Sequence, residues 1–177
     1  MIKTSNITMM ILYFICVVSI MQVWGKNAGS QNISGYDGFY LGDRQNDVIR
    51  LLHVRDIPFY ERTIAYHTFL DIETGGRKIS LIFNYAGFLY AINVQTSLSD
   101  ENFNHLVDHL NKKYGEQSST TSGKNSEHLL WETGDRFSLT VTRGSDARVY
   151  LYYVDNVFYK ASVKWKPDYN QSEFKDF

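Results

Sequence analysis

The chain has 177 residues, in which 18 Lys and Arg stand against 19 Asp and Glu, and its formal net charge is −1. This balance, without any basic run or stripe, lacks the electrostatic footprint of a nucleic-acid-binding protein, so we expect no nucleic-acid partner. Aromatic residues make up 15% of the chain and only 2 residues are proline. That composition is typical of a folded, sheet-rich protein rather than of a disordered one.

Residues 1–25 have the pattern of an export signal. Lys3 provides a positive charge, residues 9–21 form an apolar run too short to span a bilayer comfortably, and the small residues Val23 and Gly25 permit cleavage. We therefore predict a signal peptide that is cut after Gly25. The mature protein would be periplasmic or secreted, with no membrane contact after cleavage. An uncleaved membrane anchor is the alternative.

The single cysteine, Cys16, lies within this predicted signal peptide. The mature chain would therefore have no disulfide and no thiolate metal site, and its hydrophobic core alone would stabilise it. Its length of about 150 residues is enough for one domain that buries roughly two thirds of its unfolded surface. Export without cysteines fits a bacterial periplasm or cell exterior better than a small secreted eukaryotic scaffold.

The predicted domain spans residues 36–166 and follows a flexible lead at 26–35. Asp43 can cap a short helix through about Leu52, because apolar residues recur at helical spacing in that stretch. From residue 63 onward the apolar residues recur at every second position. This alternation predicts a meander of three strands at about 63–72, 79–85 and 88–94.

The stretch 97–115 is the clearest element of the chain. Ser99 is a good N-cap, and Leu98 and Phe103 stand at the two positions of a hydrophobic staple. Acidic residues follow in the first turn and lysines lie in the last, as the helix dipole favours. The apolar stripe of this predicted helix consists of Phe103, Leu106, Val107 and Leu110, and Gly115 can end it.

The alternation resumes after a polar loop at 116–126. Strands are predicted around Leu129 and Trp131, at 137–141 and at 149–153. Residues 157–165 also alternate, which predicts a final strand with one wet face. Residues 167–177 are a polar tail.

The two halves of the predicted domain look alike. The turn that begins Glu73-Thr74-Gly75 is echoed by Glu132-Thr133-Gly134, about 60 residues later, and the helix signals agree in phase with it. We therefore predict an α+β fold of tandem helix–meander units, at about 42–96 and 99–154. Together they form one antiparallel sheet with the helices packed on one face. The alternative is that this turn sequence is simply a common one.

The order of several short motifs resembles a widespread group of small exported bacterial proteins. The motifs are Gly38 to Gly42 before a helix, Phe83 with Leu89-Tyr90-Ala91-Ile92 in a hairpin, Leu110-Asn111-Lys112-Lys113-Tyr114-Gly115 at a helix end, and Trp131. The resemblance covers residues 36–153 and implies export and the α+β layout. It carries over no activity and no site residues. The layout is also similar to β-lactamase-inhibitor-like and outer-membrane-assembly-factor-like proteins, at fold level only.

The titratable residues do not complete a catalytic or metal signature. His105 and His109 are four apart on the predicted helix, but no motif places a third metal ligand. Two histidines could each pair with a carboxylate for acid–base work: His67 with Asp71, and His128 with Glu132. No nucleophile stands in a recognisable turn, so we predict neither an enzyme nor a cofactor. A hydrolase with an unrecognised site is an alternative.

The alternation also predicts a surface for a partner. Small hydroxyl and amide groups share one sheet face with tyrosines, as protein-recognition surfaces often do. The predicted binding residues are Ile82, Leu89, Tyr150 and Tyr152, large side chains where polar ones are expected on a wet face. We therefore predict a non-catalytic module that binds a protein in the cell envelope. A wet face without a partner, and a hydrolase inhibitor that acts through the loop 116–126, are the alternatives.

Overall fold

The structure, a computed structural model, describes residues 31–123 and 126–164. Within these ranges the elements are β1 (Gly35–Tyr36), β2 (Phe39–Tyr40), α1 (Gln45–Val54), β3 (Tyr60–Ile64), β4 (His67–Thr74), β5 (Arg77–Phe83), β6 (Leu89–Ser97), α2 (Asp100–Tyr114), β7 (Ser119–Ser122), β8 (Ser126–Thr133), β9 (Phe137–Gly144), β10 (Arg148–Asp155) and α3 (Asn156–Lys164). From Asn32 onward the described residues belong to one compact unit. The predicted signal peptide, residues 26–30 of the flexible lead and the polar tail lie outside the described residues.

One antiparallel sheet of eight strands organises the fold, in the order β3-β4-β5-β6-β10-β9-β8-β7. This order is symmetric, because two four-stranded meanders, β3 to β6 and β7 to β10, meet along β6 and β10. Helix α1 precedes the first meander and helix α2 precedes the second. The predicted α+β class with one large antiparallel sheet is confirmed, although each meander has four strands instead of three.

The first meander gains its extra strand from a turn that the sequence pattern hides. A single strand was expected at 63–72, but β3 ends at Ile64 and β4 begins at His67. Ala65 adopts a φ of 54° in the two-residue turn between them. Positive φ is unusual for alanine, and neither turn residue is Gly, Asn or Asp, so the usual sequence signal of a tight hairpin is missing.

The second meander gains its extra strand inside the predicted polar loop. Ser119–Ser122 forms β7 and pairs antiparallel with β8, with Ser119 opposite Leu130. All four residues of β7 are exposed. Because all four side chains are hydroxyl-bearing, the sequence shows no apolar alternation that would predict a strand. The strand forms because its backbone groups pair with those of β8.

Helix α2 begins and ends as its sequence predicts. The Ser99 hydroxyl accepts a hydrogen bond from the Asn102 N–H, and Gly115 after the helix has a φ of 89°. The buried residues of α2 are Phe103, Leu110 and Tyr114. The indole N–H of Trp131 on β8 donates to Asn111 Oδ1 and to the Gly115 carbonyl, both at 3.1 Å. The end of the helix is thereby fixed to the sheet.

Residues 156–164 form helix α3, so the predicted final strand at 157–165 is wrong. The buried Asp155 carboxylate caps this helix, because its Oδ1 accepts from the N–H groups of Val157 at 3.0 Å and Phe158 at 3.2 Å. Phe158 and Ser162 are four apart and both turn away from solvent. The sequence therefore satisfies a helical spacing as well as the alternation from which a strand was predicted.

Two apolar clusters lie on opposite faces of the sheet. Successive strand residues point to opposite sides, so Leu81 belongs to one cluster and Ile82 to the other. The larger one, called the main core, includes Val48 and Leu52 of α1 and Phe103 and Leu110 of α2. The smaller one, called the second cluster, consists of Ile82, Tyr90, Ala91 and Val154, with Phe69, Tyr152 and Phe158 packed against it.

Candidate binding face

The sheet face opposite the main core, called the outer face, carries its side chains in rows across the strands. Side chains on directly paired residues of an antiparallel sheet point to the same side and are neighbours. The central row crosses six strands and consists of Asp71, Ser80, Asn93, Tyr152, Thr140 and Leu130. All six of these residues are partly buried. The row is polar from Asp71 to Thr140, with one tyrosine among the polar groups, and it ends on the apolar Leu130.

A second row runs parallel to the central row on the outer face. It consists of Glu73, Lys78, Gln95, Tyr150, Thr142 and His128. Tyr150, Gln95 and Thr142 are partly buried, whereas the ends of the row are exposed. Lys78 Nζ lies 3.0 Å from Glu73 Oε1, so the charges at that end are paired with each other. The middle of the row is uncharged.

The third row of the outer face is apolar and is covered by the chain itself. Across β4, β5, β6 and β10 it consists of Phe69, Ile82, Ala91 and Val154, all of which belong to the second cluster or pack against it. Phe158 of α3 packs against the same cluster. Helix α3 thus occupies the part of the outer face where the apolar residues lie, and the two polar rows remain beside it.

The four predicted binding residues do not share one surface. Tyr150 and Tyr152 lie in adjacent rows of the outer face, as predicted. Ile82 is on the same face but is only 9% exposed, within the second cluster. Leu89 is fully buried in the main core, and its assignment to the binding surface is wrong.

A register irregularity explains the misplacement of Leu89. Ile82 pairs with Ala91 and the next residue, Phe83, pairs with Leu89, so Tyr90 is an extra residue on β6. Such a bulge reverses the sense of the alternation on one strand. Leu89 therefore turns into the main core, and Tyr90 turns into the second cluster. Sequence alternation alone cannot locate a bulge of this kind.

Asp71 is held in its charged form at the end of the central row. Its Oδ2 accepts from Arg62 Nε and its Oδ1 accepts from the Ser80 hydroxyl, both at 2.5 Å. Partial burial by itself would raise the pKa of Asp71, but the hydrogen bonds from Arg62 and Ser80 and the charge of Arg62 bring that pKa below its usual value. The Arg62 guanidinium also lies 4.1 Å from the centre of the Phe69 ring. The negative charge of Asp71 in this row is therefore compensated by Arg62 of the same chain.

His67 and Tyr90 form a partly buried contact beside the second cluster. The Tyr90 hydroxyl lies 3.3 Å from His67 Nδ1. Burial, with the nearby Tyr152, Tyr159 and Tyr66, raises the pKa of Tyr90 to about 12. Burial also lowers the pKa of His67, against a smaller opposing effect of a hydrogen bond with the Phe83 backbone. Both groups are neutral at neutral pH, and His67 does not pair with Asp71.

His128 contacts two hydroxyl groups and not the carboxylate proposed as its partner. Its Nε2 lies 2.9 Å from the Ser126 hydroxyl, and its Nδ1 lies 2.9 Å from the Thr142 hydroxyl. Glu132 lies four residue pairs further along the ladder, opposite Ser138. A serine–histidine contact resembles part of a hydrolase site, but the third position here is a neutral hydroxyl that stabilises an imidazolium much less than a carboxylate.

His105 and His109 on α2 are exposed, and their helix packs against the main core, on the side of the sheet opposite the outer face. His105 Nε2 lies 3.9 Å from Glu101 Oε1, one turn earlier on the same helix. Among residues 31–123 and 126–164, no group of three or more His, Cys, Asp and Glu side chains could hold a metal ion. The same residues contain no helix of the length and apolarity needed to cross a membrane.

An open cleft of about 500 Å³ lies at the start of α2, and sequence reasoning did not find it. Asp100, Ser122, Glu127 and Arg143 are among its lining residues. The Arg143 guanidinium pairs with the Asp100 carboxylate and lies 4.6 Å from the Phe103 ring centre. Its charge is therefore already used to join β9 to the helix.

Comparison of the chain with protein-family models, with curated proteins and with solved structures gave no match. The site must therefore be interpreted from its own geometry.

Proposed function

We propose that the chain is an exported, non-catalytic module that binds a protein partner on the two polar rows of its outer face. The observation that carries the proposal is that Tyr150 and Tyr152 lie in adjacent rows, each between polar side chains of the neighbouring strands. Thr142 and Gln95 flank the first tyrosine across the strands, and Thr140 and Asn93 flank the second.

Such a surface has the physical properties that protein recognition requires. Tyrosine gives a large contact area with few rotatable bonds, and hydroxyl and amide groups adapt their hydrogen bonds to a partner. Charged groups are costly to desolvate. Here they lie near the margin of the rows and are already paired, as Lys78 is with Glu73 and Arg62 is with Asp71.

We also infer that the domain arose from two helix–meander units. The symmetric strand order and the helix before each meander support this interpretation. Val48 of α1 and Phe103 of α2 both belong to the main core, which supports one shared layer for these two helices. Helix α3 follows the second unit and contacts the other cluster, so we exclude it from that layer. Export, and membership of the group of exported bacterial proteins, remain part of this proposal.

The test compares two tyrosine variants of the mature protein. Tyr150→Ser removes a ring from the second row without removing a member of either apolar cluster. Tyr40→Ser is its control, because Tyr40 lies on β2 outside the large sheet and is 56% exposed. The partner is identified by affinity capture from an envelope extract of the source cells, and its dissociation constant is then measured for each purified variant.

We expect Tyr150→Ser to weaken binding at least tenfold, a loss of about 1.4 kcal/mol, and Tyr40→Ser to bind as the wild type does. Both variants should melt within a few degrees of it. Equal affinity in all three proteins would contradict the proposal. Tyr152 is less suitable for this test, because it also packs against the second cluster.

The inhibitor hypothesis is the second candidate, and one observation favours it. All residues of β7 are exposed at an edge of the sheet, within the segment 116–126. Deleting that segment would remove a paired strand, so Thr121→Arg is the better variant. If it abolishes binding while Tyr150→Ser does not, the partner binds at the loop and the inhibitor hypothesis is supported.

A further inference from the structure

The free edge of strand β3 carries two large apolar side chains. Tyr60 is 68% exposed and Ile64 is 52% exposed. Both lie on the outer face with Arg62 between them, as strand alternation requires. Among the described strands, β3 pairs only with β4 and forms one end of the sheet. Natural edge strands usually carry charges, bulges or a cover that prevents pairing with another chain.

The register of the β3–β4 hairpin determines which backbone groups point away from the sheet. Ile64 pairs with His67 across a two-residue turn, and residues that flank such a turn form a hydrogen-bonded pair. Hydrogen-bonded and non-hydrogen-bonded pairs alternate along an antiparallel ladder. Every second residue of β3, counted from Ile64, therefore bonds to β4. The N–H and C=O groups of Glu61 and Thr63 point outward.

We propose that β3 pairs antiparallel with β3 of a second copy of this chain, about a two-fold axis at Arg62. In this register the outward groups of Glu61 bond to those of Thr63 in the second copy, and the reverse pair forms by symmetry. Four backbone hydrogen bonds result. Each Tyr60 then lies directly beside Ile64 of the second copy, so the two exposed apolar side chains cover each other.

Other antiparallel registers fit less well. A pair centred on Glu61 places two carboxylates opposite each other, which is destabilising. A pair centred on Thr63 moves Tyr60 beyond the end of the opposing strand and leaves it exposed. The proposed register places Arg62 opposite itself, but each guanidinium is already paired with Asp71 of its own chain. The like charges are therefore balanced locally.

The other edge of the sheet does not offer the same match. Strand β7 has the sequence Ser-Thr-Thr-Ser, and all of its residues are exposed. Pairing there would add backbone hydrogen bonds without apolar contact between the copies. This difference points to β3 as the edge that associates.

The pairing would be weak and would depend on protein concentration, because a five-residue strand pair buries less surface than a permanent dimer requires. It would join two eight-stranded sheets edge to edge. The two outer faces would then lie side by side, and a partner with two copies of the recognised surface would bind both with higher avidity.

Sedimentation velocity of the full chain over a range of concentrations tests the association. We expect a monomer–dimer equilibrium in the wild type. Thr63→Pro removes an outward N–H and leaves the ladder to β4 intact, so it should raise the dimer dissociation constant roughly tenfold or more. Thr121→Lys, on β7, should not change it. A wild type that stays monomeric, or a Thr63→Pro dimer as tight as that of the wild type, would overturn the proposal.

A charge-exchange pair tests the register and does not depend on a proline. One variant carries Tyr60→Lys with Ile64→Lys, and the other carries Tyr60→Asp with Ile64→Asp. Each variant alone should be monomeric, because like charges meet across the axis, and an equimolar mixture should form mixed dimers. A mixture that remains monomeric contradicts the register. Binding of a different protein at β3 of a monomeric wild type would likewise overturn self-pairing.

Discussion

The carboxylate of Asp155 is fully buried, and its Oδ2 accepts a hydrogen bond from Arg136 Nε at 2.9 Å and lies 2.9 Å from Nη2 of the same guanidinium. Its other oxygen caps helix α3. The Arg136 carbonyl also accepts from the Asn156 N–H at 2.6 Å. This pair joins the β8–β9 turn to the start of α3, and Phe158 of the same helix packs against the second cluster.

Loss of Arg136 should therefore destabilise the protein more than loss of a surface ion pair. In Arg136→Ala the buried Asp155 carboxylate loses its cation. Because the arginine itself is about half exposed, we expect a cost of about 2 kcal/mol, less than for a fully buried pair. Arg148→Ala, which removes a solvent-exposed pair with Asp146, is the control and should cost clearly less stability than Arg136→Ala. Urea unfolding measures both, and equal losses would contradict the anchoring role.

The buried indole of Trp131 should stabilise the fold through its hydrogen bonds as well as through its apolar packing. Trp131→Phe removes an N–H that two carbonyl oxygens accept from, at Asn111 and Gly115, and it leaves a small cavity. We expect a loss of about 3 kcal/mol. Asn111→Ala removes one acceptor and leaves the other, so its cost should be nearer about 1 kcal/mol. Thermal and urea unfolding distinguish these values, and a Trp131→Phe protein as stable as the wild type would refute the bridging role.

Asp71 should make stability depend on pH in the acid range. Its pKa in the folded protein lies below the usual 3.8. Its contribution is therefore present above that value and is lost as the pH falls through the lower, folded value. Arg62→Gln should raise the pKa of Asp71 and reduce this acid dependence, whereas Arg50→Gln, at an exposed pair with Asp47, should leave it unchanged. A carboxyl-carbon NMR titration measures the pKa, and an unchanged value in Arg62→Gln would count against the contact.

Tyr90 should make stability depend on pH in the alkaline range. Burial raises its pKa to about 12, above the ordinary value of 10.0 for tyrosine. Its contribution is complete below pH 10.0 and is lost as the pH rises toward 12, because the unfolded chain ionises first. Tyr90→Phe should lose stability less steeply between these values than the wild type does. A tyrosinate absorbance titration combined with unfolding curves provides the measurement. Identical slopes in the two proteins would show that Tyr90 does not ionise on unfolding.

Elements whose signals are local in sequence could be predicted, and helix α2 shows why. Its cap at Ser99, its apolar stripe and its end at Gly115 all lie within one short stretch. The hairpin between β3 and β4 could not be predicted in the same way, because Ala65 adopts positive φ without a turn-forming residue. There the alternation continues through a turn that only the pairing of the two strands stabilises.

The composition of the outer face depends on long-range features, so it could be predicted only in part. The alternation placed Tyr150 and Tyr152 on the correct face because β10 is regular. It misplaced Leu89, because one extra residue on β6 changes which side each residue faces. It did not reveal that Ile82 is nearly buried, because the helix α3 that covers this region is held by contacts from elsewhere in the chain. Arg136 contacts Asp155, and Phe88 stacks on Phe158. No pattern within residues 156–164 carries that information.

Site-specific photo-crosslinking in the source cells shows directly whether a partner binds on the polar rows of the outer face. A photoreactive phenylalanine analogue replaces Tyr150 in one variant of the full chain and Tyr40 in another. We expect one discrete crosslinked protein from position 150 and none from position 40. A partner that crosslinks equally from both positions, or only from position 40, would show that the polar rows are not the binding surface.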